Sequence, residues 1–107
     1  MRKVRVYVKD IEAGVLSESD NKDKYIFEYD ETYKGEPVSL KMPISDRVYV
    51  FTTFPPFFDG LLPEGHQLDG LLRKRKINKY DYMSQLIAVG SDMVGSVTVK
   101  EIMWWRY

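Results

Sequence analysis

His66 is the single histidine of this 107-residue chain and its first candidate for chemistry. One histidine cannot form a multi-histidine metal site, and Glu64-Gly65-His66 lacks the helical spacing of a metalloprotease motif. The plainer interpretation is an exposed side chain at the start of a helix. The chain also has no cysteine, which excludes thiol catalysis, disulfides and cysteine-based zinc sites, and which suits a reducing compartment. We therefore expect no metal and no cofactor.

Two further segments resemble chemical motifs without completing them. Gly90 and Gly95 are spaced as in a phosphate-binding loop, but Ser96 stands where the loop needs lysine, and no helix follows. The basic run 73–76 could contact phosphates or an acidic partner, although four charges on one helical turn are typical of a solvated helix end. No nucleophile, histidine and acid can be grouped by spacing, so the residues alone predict a binding domain rather than an enzyme.

Charge and hydropathy exclude other classes of function. Lys plus Arg equals Asp plus Glu at 16 each, whereas a nucleic-acid-binding domain is usually basic, so no direct nucleic-acid binding is expected. We find no signal peptide and no membrane-spanning run, which predicts a cytoplasmic protein. Aromatic residues make up 14% of the chain and either fill a small core or form a contact surface. Trp104 and Trp105 would face opposite ways in a strand, which could leave one exposed for docking.

The hydrophobic pattern predicts the elements that would position these residues. Alternation and β-branched or aromatic content predict strands at 4–8, 15–16, 25–29, 38–42, 48–51 and 96–102. Leu68, Leu71 and Leu72 predict a helix that closes at the basic run. A second helix is predicted to follow a capping box from Asn78 to Asp81 and to end at Gly90 as a left-handed C′ residue. We expect one α+β domain over 1–107, with a small antiparallel, barrel-like sheet and two to three helices packed on one side.

The segment FPPFFDGLLPEGH, residues 54–66, carries a family resemblance. Its part 57–65 resembles the FF-x-N-LLPEG signature of the N-terminal region of HipA-type kinases, with Gly60 where Asn is usual. Further resemblances follow in order along the chain: FEYD at 27–30, PVSLKMP at 37–43 and the GSDMVGSV turn at 90–97. Together they cover nearly the whole sequence.

This resemblance implies a function. HipA proteins are Ser/Thr kinase toxins of bacterial toxin–antitoxin systems, and their catalytic motifs follow this region and have no counterpart here. The chain begins with Met1, so we expect a complete gene product. It resembles HipS, the antitoxin of split three-gene systems, which implies a HipT-like kinase as partner and, through it, a HipB-like helix-turn-helix DNA-binding protein. Alternatives are a structural N-terminal fragment of a longer HipA kinase, or an assembly module of a promoter-bound complex.

The resemblance also implies where a kinase would bind. Residues 54–58 would form a short buried turn that anchors a loop, and LLPEG would present His66 at a helix start, where a side chain could enter the kinase cleft. The predicted partner-binding residues are those of this loop and the two tryptophans: Leu61, Leu62, Pro63, Glu64, Gly65, His66, Gln67, Trp104 and Trp105.

Overall fold

The computed structural model describes residues 2–90 and 95–102. Its five strands are β1 (Arg2–Val8), β2 (Ile11–Glu18), β3 (Tyr25–Tyr29), β4 (Val48–Phe51) and β5 (Val97–Glu101). Its three helices are α1 (Pro56–Asp59), α2 (Gly65–Arg75) and α3 (Tyr82–Val89). All neighbouring strands are antiparallel, in the order β4-β3-β2-β1-β5. The α+β prediction, with helices on one side of an antiparallel sheet, is confirmed.

One face of the sheet forms the core. In β1, Val4, Val6 and Val8 are buried, whereas the alternate residues are half-buried on the other face. This is the period-two pattern of a strand that is covered on one side only. Phe58 of α1 and Leu86 of α3, both fully buried, belong to the same hydrophobic cluster as the inward residues of the strands. The helices therefore cover one face.

The first hairpin is tighter than the sequence pattern predicted. A strand was expected to begin only at Val15, but β2 begins at Ile11, directly after a two-residue turn. Lys9 and Asp10 form this turn with φ of 51° and 67°, the left-handed geometry of tight hairpin turns. A register shift leaves Ala13 without a partner in β1, so inside and outside positions cease to alternate there. Because this bulge interrupts the alternation, the sequence pattern does not show that the strand begins at Ile11.

The prediction of a strand at 38–42 is wrong, since no strand lies between β3 and β4 among the described residues. The Met42 amide donates to the Ser39 carbonyl at 3.0 Å, which closes a turn. The Tyr29 hydroxyl accepts from the Val38 amide at 3.0 Å and donates to the Met42 carbonyl at 2.5 Å, so one buried side chain satisfies backbone groups at both ends of the segment. The apparent alternation fails at Leu40, which is 94% exposed. A tertiary contact, invisible in the local sequence, replaces strand pairing.

Helix α3 has different end groups from those predicted. The N-cap is Asp81, whose side chain accepts from the Ser84 amide at 3.2 Å, and not Asn78, whose side chain accepts from the Tyr80 amide. The helix ends before Gly90 as expected, but Gly90 is right-handed, with φ of −52°. Glycine is required there because a Cβ would lie 2.4 Å from the Val99 carbonyl oxygen. Close packing against β5, and not backbone handedness, selects this residue.

Within the two described ranges, no helix is long and apolar enough to cross a membrane. The same ranges contain no group of three or more His, Cys, Asp or Glu side chains that could hold a metal ion.

Candidate functional site

Helix α1 anchors the segment that the sequence singled out. Phe54 and Phe58 are 8% and 0% exposed, and Pro55 is also buried. The Phe58 ring lies 5.8 Å from the ring of Phe27 on β3, and the Phe54 ring lies 5.4 Å from that of Tyr25. These aromatic contacts fix the short helix to the inner face of the sheet. The prediction that 54–58 is a short buried turn is confirmed for Phe54, Pro55 and Phe58, whereas Pro56 is exposed and Phe57 is half-buried.

The residues after α1 pass gradually from the core to the surface. Leu61 and Leu62 are half-buried and pack against the core. Their amides donate to the carbonyls of Phe58 and Asp59, both at 3.1 Å, so the chain stays attached to α1. Pro63 is half-buried, and Glu64 is exposed. The loop is therefore held in place at its beginning and open to a partner at its end.

Gly65 turns the chain into α2. Its φ of +58° lies in the left-handed region that glycine adopts without strain. Glu64 is the N-cap but makes no side-chain capping bond. His66 and Gln67 follow in the first turn, both exposed, and their side chains form no hydrogen bond to any described residue. The prediction that His66 sits at a helix start is confirmed, and its imidazole and the neighbouring amide are available to a partner.

Helix α2 is covered less than its leucine spacing suggested. None of its eleven residues is buried, and Leu68, Leu71 and Leu72 are only half-buried. Leu72 lines a shallow cavity of about 430 Å³ together with Asp69, Arg73 and Ile77. The spacing of these leucines is typical of a helix face that packs on a core, yet here they leave apolar surface open next to the basic last turn. Leu68 and Leu72 therefore join the candidate contact residues, on the same helix as His66.

The basic last turn of α2 has no acidic partner among the described residues. Arg73, Lys74 and Arg75 are exposed and take part in no ion pair within residues 2–90 and 95–102. Their position at the carboxyl end of the helix complements its dipole. The helix thus has no acidic residue in its first turn and three basic residues in its last turn.

A charged network holds α3 against the sheet beneath this surface. Arg2 donates to Glu18 at 2.9 Å, to Asp81 at 2.5 Å and to the Ser84 hydroxyl at 2.7 Å. Glu18 is 2% exposed and also accepts from the Tyr25 hydroxyl at 2.8 Å. Burial opposes ionisation of Asp81, but hydrogen bonds from Arg2 and Ser84 outweigh it and lower its pKa.

The same network affects Tyr25, whose hydroxyl lies against the buried Glu18 carboxylate. Burial raises the pKa of Tyr25, and its hydrogen bond to Glu18 raises it further. The Tyr25 hydroxyl donates to Glu18 and holds its carboxylate in place, so its role is structural. The network therefore positions α3 against the sheet.

Of the predicted partner-binding residues, Leu61 to Gln67 form one continuous segment from α1 to the first turn of α2. Trp104 and Trp105 lie outside the described residues. The chemical content of the segment is apolar area from two leucines, one carboxylate, one imidazole and one amide. Such a set fits recognition of another protein's surface.

Comparisons with known proteins agree with this architecture. The sequence model of the HipA N-terminal domain family matches residues 4–100. An uncharacterised protein of Haemophilus influenzae is 30% identical over 101 residues, which are 94% of this chain and 93% of that protein. The solved N-terminal domain of HipA toxin superposes with a TM-score of 0.76 at 26% identity, over 97% of this chain and 95% of that one. The chain therefore belongs to the HipA N-terminal domain family.

Proposed function

We propose that this chain is a HipS-like antitoxin, a separate regulatory subunit that binds a HipT-like Ser/Thr kinase and inhibits it. The observation that carries the proposal is the exposed start of α2 at His66 and Gln67, held by the buried α1 in a domain of the HipA N-terminal family. A partner-facing side chain on a rigid anchor suits insertion into a cleft, since little conformational entropy is lost on binding.

The comparisons support a separate subunit. The match to the Haemophilus influenzae protein covers 93% of that protein's length, so the remainder of that relative is too short to hold a kinase domain. A domain of this family thus occurs as a short chain in at least that case. By analogy, we propose that the present domain acts on a kinase encoded separately, and that it reaches a HipB-like DNA-binding protein only through that kinase.

Inhibition would follow from occupancy of the kinase cleft. Phosphoryl transfer requires the substrate hydroxyl, ATP and magnesium-binding acids to meet in a closed site. The segment from Leu61 to Gln67 would occupy that space, with its leucines against the rim and His66 inside. Helix α2 would add contacts through Leu68 and Leu72, whose apolar surface is open.

Co-expression with the neighbouring kinase gene tests the proposal. Growth should be rescued, and the two proteins should co-purify. The surface variant Lys34→Gln, in an exposed loop, should behave as the wild type. Co-purification without rescue would support a purely structural domain, and no association would contradict the proposal. An operator fragment retained by this chain alone would instead favour an assembly role in a promoter complex.

A further inference from the structure

The free edge of β4 is a second surface with the properties of a binding site. The strand consists of Val48, Tyr49, Val50 and Phe51 and pairs with β3 on one side only, among the described residues. The Tyr29 backbone amide donates to the Arg47 carbonyl at 2.9 Å, and Glu28 lies opposite Val48. In an antiparallel ladder this register turns the N–H and C=O groups of Val48 and Val50 away from β3. Four backbone groups are therefore open for pairing.

The edge of β4 is short, at four residues, but it carries no charge, proline or bulge that would oppose strand addition. Natural edge strands carry lysine, proline, inward charges or bulges. The other edge strand, β5, ends in Lys100 and Glu101, whereas β4 is entirely apolar. Val48 and Val50 are 50% and 59% exposed. The contrast between an apolar edge strand on one side of the sheet and a charged edge strand on the opposite side makes β4 the better candidate for strand addition.

A cleft lies on the core side of the same edge. It measures about 370 Å³, and its walls include the apolar side chains of Met42, Tyr49, Phe51 and Phe57, with Ser39 and Lys41 as polar members. Side chains of a strand paired with β4 would alternate between this cleft and the valines on the opposite face. The cleft has room for a bulky side chain, and Lys41 is exposed, without an ion-pair partner in the described ranges.

We propose that β4 binds an extended segment of a partner protein by strand addition, with bulky apolar residues at alternating positions in the cleft and an acidic residue beside Lys41. Pairing with the backbone of Val48 and Val50 would supply affinity, and the cleft and Lys41 would supply specificity. The inference is independent of the proposed kinase inhibition, because it uses neither His66 nor the loop that carries it.

A second copy of this chain is a poorer occupant for two reasons. β4 has four residues, so a symmetric pair of edges would meet along roughly 13 Å. Stable dimers bury about 800 Å² per partner, which so short a strip cannot provide. In addition, the sequence VYVF contains no acid to meet Lys41. The charge at the cleft therefore favours a different, acidic segment.

Selection of random peptides displayed on phage, with the folded full chain as bait, tests the proposal. The wild type should enrich peptides with apolar residues at alternating positions and a nearby acid. Lys41→Glu should change the preferred charged residue from acidic to basic. Val50→Pro removes an outward amide without removing a β3 hydrogen bond, and should weaken a synthetic enriched peptide by about tenfold. Val50→Thr, which keeps the amide, is the matched control and should weaken it less.

Amide hydrogen exchange gives an answer even if Val50→Pro fails to fold. In the wild type, the Val48 and Val50 amides should exchange quickly alone and slowly with the enriched peptide, while the Tyr49 amide should be protected in both states. The proposal is overturned by no enrichment above the bare support, by enriched peptides without alternation, by charge preference unchanged in Lys41→Glu, or by unchanged exchange at Val48 and Val50.

Discussion

Replacing Arg2 by methionine should destabilise the fold far more than the same change at Arg5. Both arginines lie on β1, and their side chains are 32% and 30% exposed. They differ in the acids they meet. Arg2 contacts Glu18, whose side chain is 3% exposed, whereas Arg5 contacts Asp30, which is 30% exposed. Because Arg2 also meets Asp81 and Ser84, the pair of variants compares a network that contains a buried acid with a single half-exposed ion pair.

The magnitudes follow from that burial. Removing one partner of a fully buried ion pair costs about 3–5 kcal/mol, because the remaining charge stays in a low-dielectric environment. Water reaches Arg2 in part, so we expect about 2–3 kcal/mol for Arg2→Met. A surface pair contributes up to about 1 kcal/mol, which is the expectation for Arg5→Met. At about 4–8 °C per kcal/mol, the melting temperature should fall by roughly 10–20 °C in Arg2→Met and by less than about 8 °C in Arg5→Met.

Urea and thermal unfolding, followed by circular dichroism, measure both variants. In Arg2→Met/Glu18→Gln the stranded charge is removed while an acceptor for the Tyr25 hydroxyl is kept, so the loss should be smaller than the sum of the two single losses. Equal costs for Arg2→Met and Arg5→Met would refute the argument that Glu18 depends on Arg2.

The pH dependence provides a second readout of the same variant. Burial alone would raise the pKa of Asp81, but the hydrogen bonds from Arg2 and Ser84 lower it below 3.8. Its contribution is therefore present above the unfolded pKa and is lost as pH falls through the folded value. Below about pH 4, wild-type stability should decline more steeply than that of Arg2→Met. Parallel curves would contradict the assignment of the pKa shift to Arg2.

Three other predictions concern stability and binding. Gly90→Ala should lower the unfolding midpoint, because its Cβ would lie 2.4 Å from the Val99 carbonyl oxygen. Gly60→Asn should be tolerated, since the atom nearest to a Cβ there is at 3.4 Å. Equal midpoints for the two variants would contradict this expectation. The raised pKa of Tyr25, caused by burial and by Glu18, keeps the phenol protonated when the unfolded chain ionises near 10.0, so stability should fall above that pH. Tyr25→Phe should flatten this fall, and the exposed control Tyr80→Phe should do so less. His66→Asp should abolish growth rescue and His66→Ala should reduce it, with stability changed by no more than about 0.5 kcal/mol; full rescue by His66→Asp would show that the loop does not enter the cleft.

Elements whose signals are local could be predicted from the sequence. Alternation in 4–8 and 25–29, leucine spacing in α2 and the breakers around Gly65 placed two strands, a helix and the exposed position of His66 correctly. The run of apolar and proline residues at 54–58 also predicted a buried turn, and three of its five residues are buried. These features depend on the spacing of apolar side chains and on residues that restrict the backbone, and both signals come from residues close together in the sequence.

The positions at which those elements meet depend on tertiary contacts. The segment 38–42 has a strand-like pattern but is held as a turn by the Tyr29 hydroxyl, a residue nine positions before Val38. Gly90 is required by the approach of Val99, and the buried Glu18 is satisfied by Arg2 and Tyr25, which converge from two other strands. The open edge of β4 likewise depends on strand order. Such contacts join residues distant in sequence, so no local pattern encodes them.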